Sequence, residues 1–178
     1  ATIASRGKSA CTAQNIAAAA ALTRAYGVPA KAIGDGISTF KLDGHRIELV
    51  LERDGIAWID DSKATNPHAA AASLNSFDSV IWLVGGLLKG VDISALVKTV
   101  ASKIKAAVVI GVDRSMVLAA LAEHAPTVPV IEIGDGEDVM GRAVSAAGGI
   151  AATGDTVLLA PASASMDQFK DYADRGNQ

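Results

Sequence analysis

Four short apolar runs between residues 80 and 159 constrain the fold more than anything else in the chain: Val80–Val84, Ala106–Ile110, Val128–Ile133 and Thr156–Leu159. None alternates with polar residues, as expected of strands whose two faces are both covered by helices. Helical patterns at Ile93–Lys103, Arg114–His124, Asp138–Ala147 and Met166–Ala173 lie between and after them. Strand–helix repetition at this spacing predicts an α/β fold with a mostly parallel, doubly wound sheet and right-handed crossovers. Ligands of such sheets bind beyond the carboxyl ends of the strands. Here those ends read Gly85-Gly86, Gly111, Gly134 and Ala160-Pro161.

Upstream the pattern differs. The alanine-rich run from Ala10 to Tyr26 predicts a helix that stops at Gly27, with Pro29 beyond it. Asn15, in its first turns, can point at a ligand. A second short helix is expected from Ala30 to about Ile37. His45–Glu52 alternates with period two and predicts a half-buried strand, Asp54-Gly55 a hairpin turn, and Ile56–Ile59 the return strand. The shift in composition near Lys41–Gly44 marks a boundary, with a helical remnant over 1–42 and a new domain over 43–178.

The return strand runs into Asp60-Asp61-Ser62-Lys63-Ala64-Thr65-Asn66-Pro67. Asn66 suits an N-cap and Pro67 a first helical turn. A helix start of this kind favours anions, and Lys63 beside Asp61 and Thr65 can reach phosphoryl oxygens. The alternative is a surface lysine paired with an aspartate. Gly85-Gly86-Leu87-Leu88-Lys89-Gly90 offers close backbone approach and a point charge for a carboxylate or phosphate, or is a flexible glycine turn. It is no Walker A loop, since the order GxxxxGK[ST] is absent from the chain. Ser163 and Ser165 in Pro161–Phe169 are either helix caps or hydroxyl donors to a carboxylate. No GxSxG elbow supports a serine hydrolase. His45-Arg46 can meet a nucleotide or be a solvated strand edge. Gly134–Asp138 lacks the spacing of an EF-hand and reads as a loop with an acidic helix start.

Bulk properties narrow the partners. A net charge of −3 and 4% aromatic residues argue against nucleic acid and anionic membranes. The single cysteine, Cys11, fits a reducing cytoplasm, and no run is long enough to span a membrane or resembles a signal peptide. The start at Ala1-Thr2-Ile3, without methionine, points to a longer parent.

Taken together, Asn15 in its helix, His45-Arg46, DDSKATNP, GGLLKG and the closing PASASMDQF, followed by Tyr172 and Arg175-Gly176, resemble the Mur ligases. These are the ATP-dependent enzymes that build the peptidoglycan stem peptide. DSKATNP is similar to the family at large. PASASMDQF is similar to the branch that adds D-glutamate to UDP-N-acetylmuramoyl-L-alanine, and the DNPR-type motif of the diamino-acid branch is absent.

The resemblance implies that 1–42 is the C-terminal end of a central ATP-binding domain. Residues 43–178 would then form the amino-acid-binding, Rossmann-like C-terminal domain. The UDP-sugar domain, the P-loop, the magnesium ligands and the carbamylated lysine of the family would lie upstream, so the fragment is not expected to catalyse alone. A monomer is expected, and closure of the C-terminal domain would assemble the site.

The resemblance further implies that Asn15 and His45 meet the adenine, and that Arg46 and Asp61 hold the ribose and phosphates. Lys63 and Thr65 would be catalytic, on the γ-phosphate and at the reaction centre. Thr65, Lys89, Ser165 and the amide of Met166 would grip the D-glutamate carboxylates, with Ser163 in the same loop and Tyr172 packed against the amino acid. Metal ligands are expected from none of these residues. Two departures stand out: Cys11-Thr12 where the family often has His-Asn, and Ser163 where it often has cysteine. The rival readings are a non-catalytic Rossmann-like module for a nucleotide or acidic metabolite, and a folylpolyglutamate-synthase relative, which should lack PASASMDQF.

Overall fold

The computed structural model describes residues 10–40 and 43–178. Ala1-Thr2-Ile3, and Lys41 and Leu42 of the boundary stretch, lie outside the described residues. The chain divides between Asp43 and Gly44 into two compact units. The first holds two helices, α1 (Ala10–Ala25) and α2 (Ala30–Thr39). Gly27 turns the chain out of α1 at a φ of 95°, and the Val28 amide bonds back to the Thr23 carbonyl at 3.1 Å. Pro29, extended at φ −60°, leads directly into α2.

The second unit is built on one six-stranded sheet. Its strands are β1 (Glu48–Arg53), β2 (Ile56–Asp60), β3 (Val80–Gly85), β4 (Ile104–Ile110), β5 (Val130–Glu132) and β6 (Thr156–Leu159). They lie in the order β1-β2-β6-β3-β4-β5. β1 pairs antiparallel with β2, and every other pairing is parallel. Asp54 and Gly55 make the hairpin turn with φ of 55° and 73°, as a two-residue turn between twisted strands requires.

The edge strand differs from its sequence expectation. β1 starts at Glu48, not His45, and all six of its residues are exposed. The register slips between Leu49 and Leu51, leaving Val50 as an extra residue that breaks the alternation. β5 is likewise shorter than the Val128–Ile133 run, being an edge strand that begins after Pro129.

Between the strands run α3 (Pro67–Leu74), α4 (Ser94–Val100), α5 (Ser115–His124) and α6 (Val139–Ile150). A single 3₁₀ turn, Ala101–Lys103, extends α4. α6 covers one face, burying Val139, Met140, Ala143 and Ala147 against Ile81, Leu83, Val108, Ile110, Val157 and Leu159. Alternation sends Val80, Trp82 and Val84 to the opposite face, and all three are 0% exposed. On that side α3, α4 and α5 pack side by side and bury Leu74, Leu96, Val97, Val117 and Leu121.

The expected helix over Met166–Ala173 is not formed. Residues 165–171 make turns, and only α7 (Tyr172–Asn177) is helical, capped by the Asp171 carboxylate on the Asp174 amide. The reason lies in two side chains. Asp167 Oδ2 accepts from the Val112 amide at 3.0 Å, and Gln168 Oε1 accepts from the Gly111 amide at 2.8 Å. Reaching the end of β4 and continuing a helix are incompatible here.

One core residue links the sheet to the loops above it. Trp82 donates its indole N–H to the Ala160 carbonyl at 2.7 Å, just where β6 turns into Pro161. Trp82→Phe keeps most of the packing but leaves that buried carbonyl without its donor. The expected cost is about 1–3 kcal/mol, read as a lower urea midpoint with an unchanged slope.

Candidate functional site

Because β6 lies between β2 and β3, the loops after these three strands are neighbours at the carboxyl end of the sheet. Backbone bonds join them. The Ala162 amide donates to the Ala64 carbonyl at 2.9 Å, tying the last loop to Asp60–Asn66. The Gly85 amide donates to the Pro161 carbonyl at 3.0 Å. Leu87 and Ala164 exchange two bonds as an antiparallel bridge, tying the last loop to the glycine loop. The contact is close enough to require glycine: a β-carbon on Gly86, at φ 125°, would lie 2.5 Å from the Ala164 carbonyl oxygen.

The first loop is anchored by its own acids. Asp60 accepts from the Ser62 amide at 2.8 Å and from His45 Nδ1 at 2.6 Å. Asp61 accepts from the Ile47 amide and from the Ser73 hydroxyl of α3. Its carboxylate therefore faces into the domain, and burial pushes its pKa up to about 6 despite those donors. Asn66 accepts from the Ala69 amide and Pro67 opens α3, as the sequence predicts.

Lys63 lies between this loop and the end of the chain. Its amide donates to the His45 carbonyl at 3.1 Å, and its ammonium sits over the Tyr172 ring, 5.1 Å from the centroid. The other contact of that ring is His45, edge-on at 6.2 Å. The structure thus brings His45, Asp61, Lys63, Thr65 and Tyr172 into one region. Among the described residues, His45, Glu48 and Asp60 form a group whose potential ligand atoms lie within 4.8 Å of one another. His45 Nδ1 and Asp60 Oδ2 in this group are hydrogen-bonded to each other.

Lys89, exposed and at φ 55°, lines a cleft of about 500 Å³ with Gly86–Gly90, Val112, Asp113, Met116 and Asp167. Met166 is 59% exposed beside the Leu87–Ala164 bridge. Ser163 and Ser165 are buried, and the Ser163 hydroxyl donates to the Pro161 carbonyl, giving it a loop-shaping part. Arg46 is exposed, and Asn15 is exposed on α1 in the first unit.

Sequence reading missed the polar pins beneath these loops. Ser62 and Arg175 are both 0% exposed and bonded to each other, and Asp167 and Gln168 hold the end of β4. Ser62 and Arg175 stand in the segments that carry the resemblance but with no part assigned to them, and Asp167 and Gln168 are long polar side chains in a segment otherwise suited to a helix.

The Asp61 burial has a testable sign. A carboxyl whose folded pKa is raised binds its proton more tightly when folded, so it stabilises the protein most at low pH. Relative to Asp61→Asn, the wild type is expected to lose stability as pH rises from 3.8 to about 6, and to level off above that. Parallel urea-denaturation curves across this window check it.

Residues 45–163 match the family model described as Mur ligase, glutamate ligase domain. The chain is 56% identical over 164 residues to the UDP-N-acetylmuramoylalanine–D-glutamate ligase of Leifsonia xyli, covering 91% of this chain and 32% of that protein. It is 52% identical to the ligase of the same name from Streptomyces avermitilis, covering 92% of this chain and 35% of that one. The Mycobacterium tuberculosis ligase of that name is 48% identical, covering 89% of this chain and 38% of its own length. This chain thus spans about a third of these curated relatives. Among solved structures, the UDP-N-acetylmuramate-alanine ligase of Thermotoga maritima superposes with a TM-score of 0.59 at 14% identity, over 86% of this chain and 35% of that one. A murein peptide ligase from Psychrobacter arcticus gives 0.58 at 18%, over 84% and 33%. At those identities the structures speak for the fold alone. From the matched family model and the three ligases together, the chain belongs to the Mur ligase family.

Proposed function

We propose that this chain is the C-terminal part of a cytoplasmic bacterial ligase that uses ATP to add D-glutamate to UDP-N-acetylmuramoyl-L-alanine. Residues 1–42 would end its central domain, and residues 43–178 would form its amino-acid-binding domain. The observation that carries the reading is the joining of three loops, so that the Lys63 loop, the Lys89 loop and the Ser163–Met166 turn share one rim. The ligases cited above, 48–56% identical, bear the name of this activity.

ATP transfers its γ-phosphoryl group to the alanyl carboxylate, giving an acyl phosphate and ADP; the D-glutamate amine then attacks the acyl carbon, forming the amide bond and expelling inorganic phosphate. Such a reaction needs positioning and charge neutralisation more than a protein nucleophile. Lys63, in the loop that leads into α3, suits phosphoryl oxygens as a point charge, with Thr65 next to it at the reaction centre. Lys89, Ser165 and the Met166 amide suit the carboxylates of an acidic amino acid. His45 and Arg46 would flank the nucleotide. Both Asp61 oxygens accept protein hydrogen bonds, and most magnesium ligands would come from the remainder of the enzyme. The enzyme is taken to act as a monomer. Among the described residues no helix is long and apolar enough to cross a membrane.

The decisive experiment is an amino-acid panel on the full-length enzyme with UDP-N-acetylmuramoyl-L-alanine, following phosphate release. D-Glutamate alone is expected to support turnover. Equal rates with L-alanine or a diamino acid would overturn the assignment, and no turnover with any amino acid would favour a binding module. In the same assay Lys63→Ala is expected to lower kcat by roughly 10²- to 10³-fold. A near-normal kcat would remove Lys63 from the chemistry.

A further inference from the structure

Arg175 is the most deeply buried charge among the described residues, with 0% exposure on the terminal helix. Burying a guanidinium is costly unless its donors are satisfied, and burial lowers this one to about 10 against the opposing fields of Asp167 and Asp60, leaving it charged at neutral pH. Its partners are backbone and hydroxyl oxygens of two different loops. Nε donates to Ser62 Oγ at 3.0 Å and Nη2 to the Ser62 carbonyl at 2.8 Å. Nη2 and Nη1 reach the Ser163 carbonyl at 3.3 and 3.4 Å. Ser62 Oγ passes its own proton to the Tyr172 carbonyl at 2.7 Å, closing the ring of contacts on α7. Ser62 immediately precedes Lys63, and Ser163 lies two residues before Ser165.

The Ala162–Ala64 backbone bond already joins these loops at one point. A single bond is a pivot. The planar guanidinium fork adds a second attachment that fixes the angle between the loops, which a lysine's single ammonium does not reproduce. We propose that Arg175 is a positioning residue for the ligase reaction, holding the Lys63 loop and the Ser163–Met166 turn at the spacing the reaction requires. The inference rests on the reading that Lys63 serves the phosphoryl group and Ser165 the amino acid. Loss of the fork then leaves each half-site intact but out of register. A displacement on the order of 1 Å costs about 10² in rate.

The test uses full-length enzyme carrying Arg175→Lys or Arg175→Ala. The Lys variant is expected to lose about 10² in kcat, while KM for ATP and for D-glutamate changes less than about fivefold. In the Ala variant, millimolar guanidinium is expected to restore part of kcat, whereas methylammonium is not. Hydrogen exchange should quicken at residues 61–65 and 161–165 and stay unchanged in the α6 core. A kcat within threefold of wild type overturns the proposal. So does a joint collapse of kcat, KM and Tm without rescue, which marks a purely structural residue. Should the Ala variant not fold, the kcat against KM split of the Lys variant decides. If wild-type enzyme shows no D-glutamate-dependent phosphate release, the functional reading has failed. The exchange pattern in Arg175→Lys then still decides whether the fork holds the two loops.

Discussion

The last parallel strand to be made, β6, is inserted between β2 and β3, and the candidate site depends on that insertion. A strand in that place must leave the sheet between two loops already present, and its own loop bonds to both. Ala162 takes the Ala64 carbonyl on one side, and Leu87 and Ala164 exchange bonds on the other. Without β6 the Lys63 and Lys89 loops would sit on strands two positions apart with nothing between them. The order β2-β6-β3 therefore acts as a spacer, made rigid by the core beneath it. Trp82, 0% exposed and bonded to the Ala160 carbonyl, carries that rigidity up to the point where the loop begins.

Polar burial is concentrated at this end of the sheet. Asp60, Asp61, Ser62, Ser163, Ser165 and Arg175 are all under 10% exposed there. Desolvating such groups is unfavourable unless they are paired, and apolar replacements of similar shape are often as stable. Their value lies in directionality, because a hydrogen bond fixes an angle that an apolar contact leaves free. The opposite end of the sheet shows how one buried acid does the same at smaller scale. Asp155 accepts from Ser79, Lys105 and the Ala152 amide, pinning the starts of β3, β4 and β6 together. Burial there opposes ionisation, but the three donors outweigh it and hold the carboxyl below its ordinary range.

Much of the fold was legible in the sequence, and the failures have physical causes. Covered strands declare themselves as unbroken apolar runs, so β3, β4 and β6 were found within two residues of their ends. The Asn66-Pro67 start of α3 and the Asp54-Gly55 turn depend only on local backbone chemistry, and both form as read. Strand order was not legible, because the insertion of β6 is set by crossover packing that no local pattern records. The Met166–Ala173 helix failed where Asp167 and Gln168 bond to amides at the end of β4, more than fifty positions upstream. The β1 alternation failed for a neighbouring reason, the extra residue at Val50. The residues of the site loops were legible as types, whereas Ser62 and Arg175, the pins between loops, were not, since a buried arginine and an exposed one look alike in one dimension.

Tyr172 ties these threads together. The resemblance implied that it packs against an amino acid. In the structure the Lys63 ammonium sits over its ring, 5.1 Å from the centroid, and His45 meets that ring in a T-shaped arrangement with centroids 6.2 Å apart. An aromatic face attracts an ammonium through its quadrupole and so helps to orient the cation. Asp61, two residues before Lys63, is turned toward Ser73 and the Ile47 amide, where burial raises its pKa. Tyr172 also accepts the Ser62 hydroxyl through its carbonyl. The residue that orients the lysine is thus fastened to the same buried network that spaces the loops.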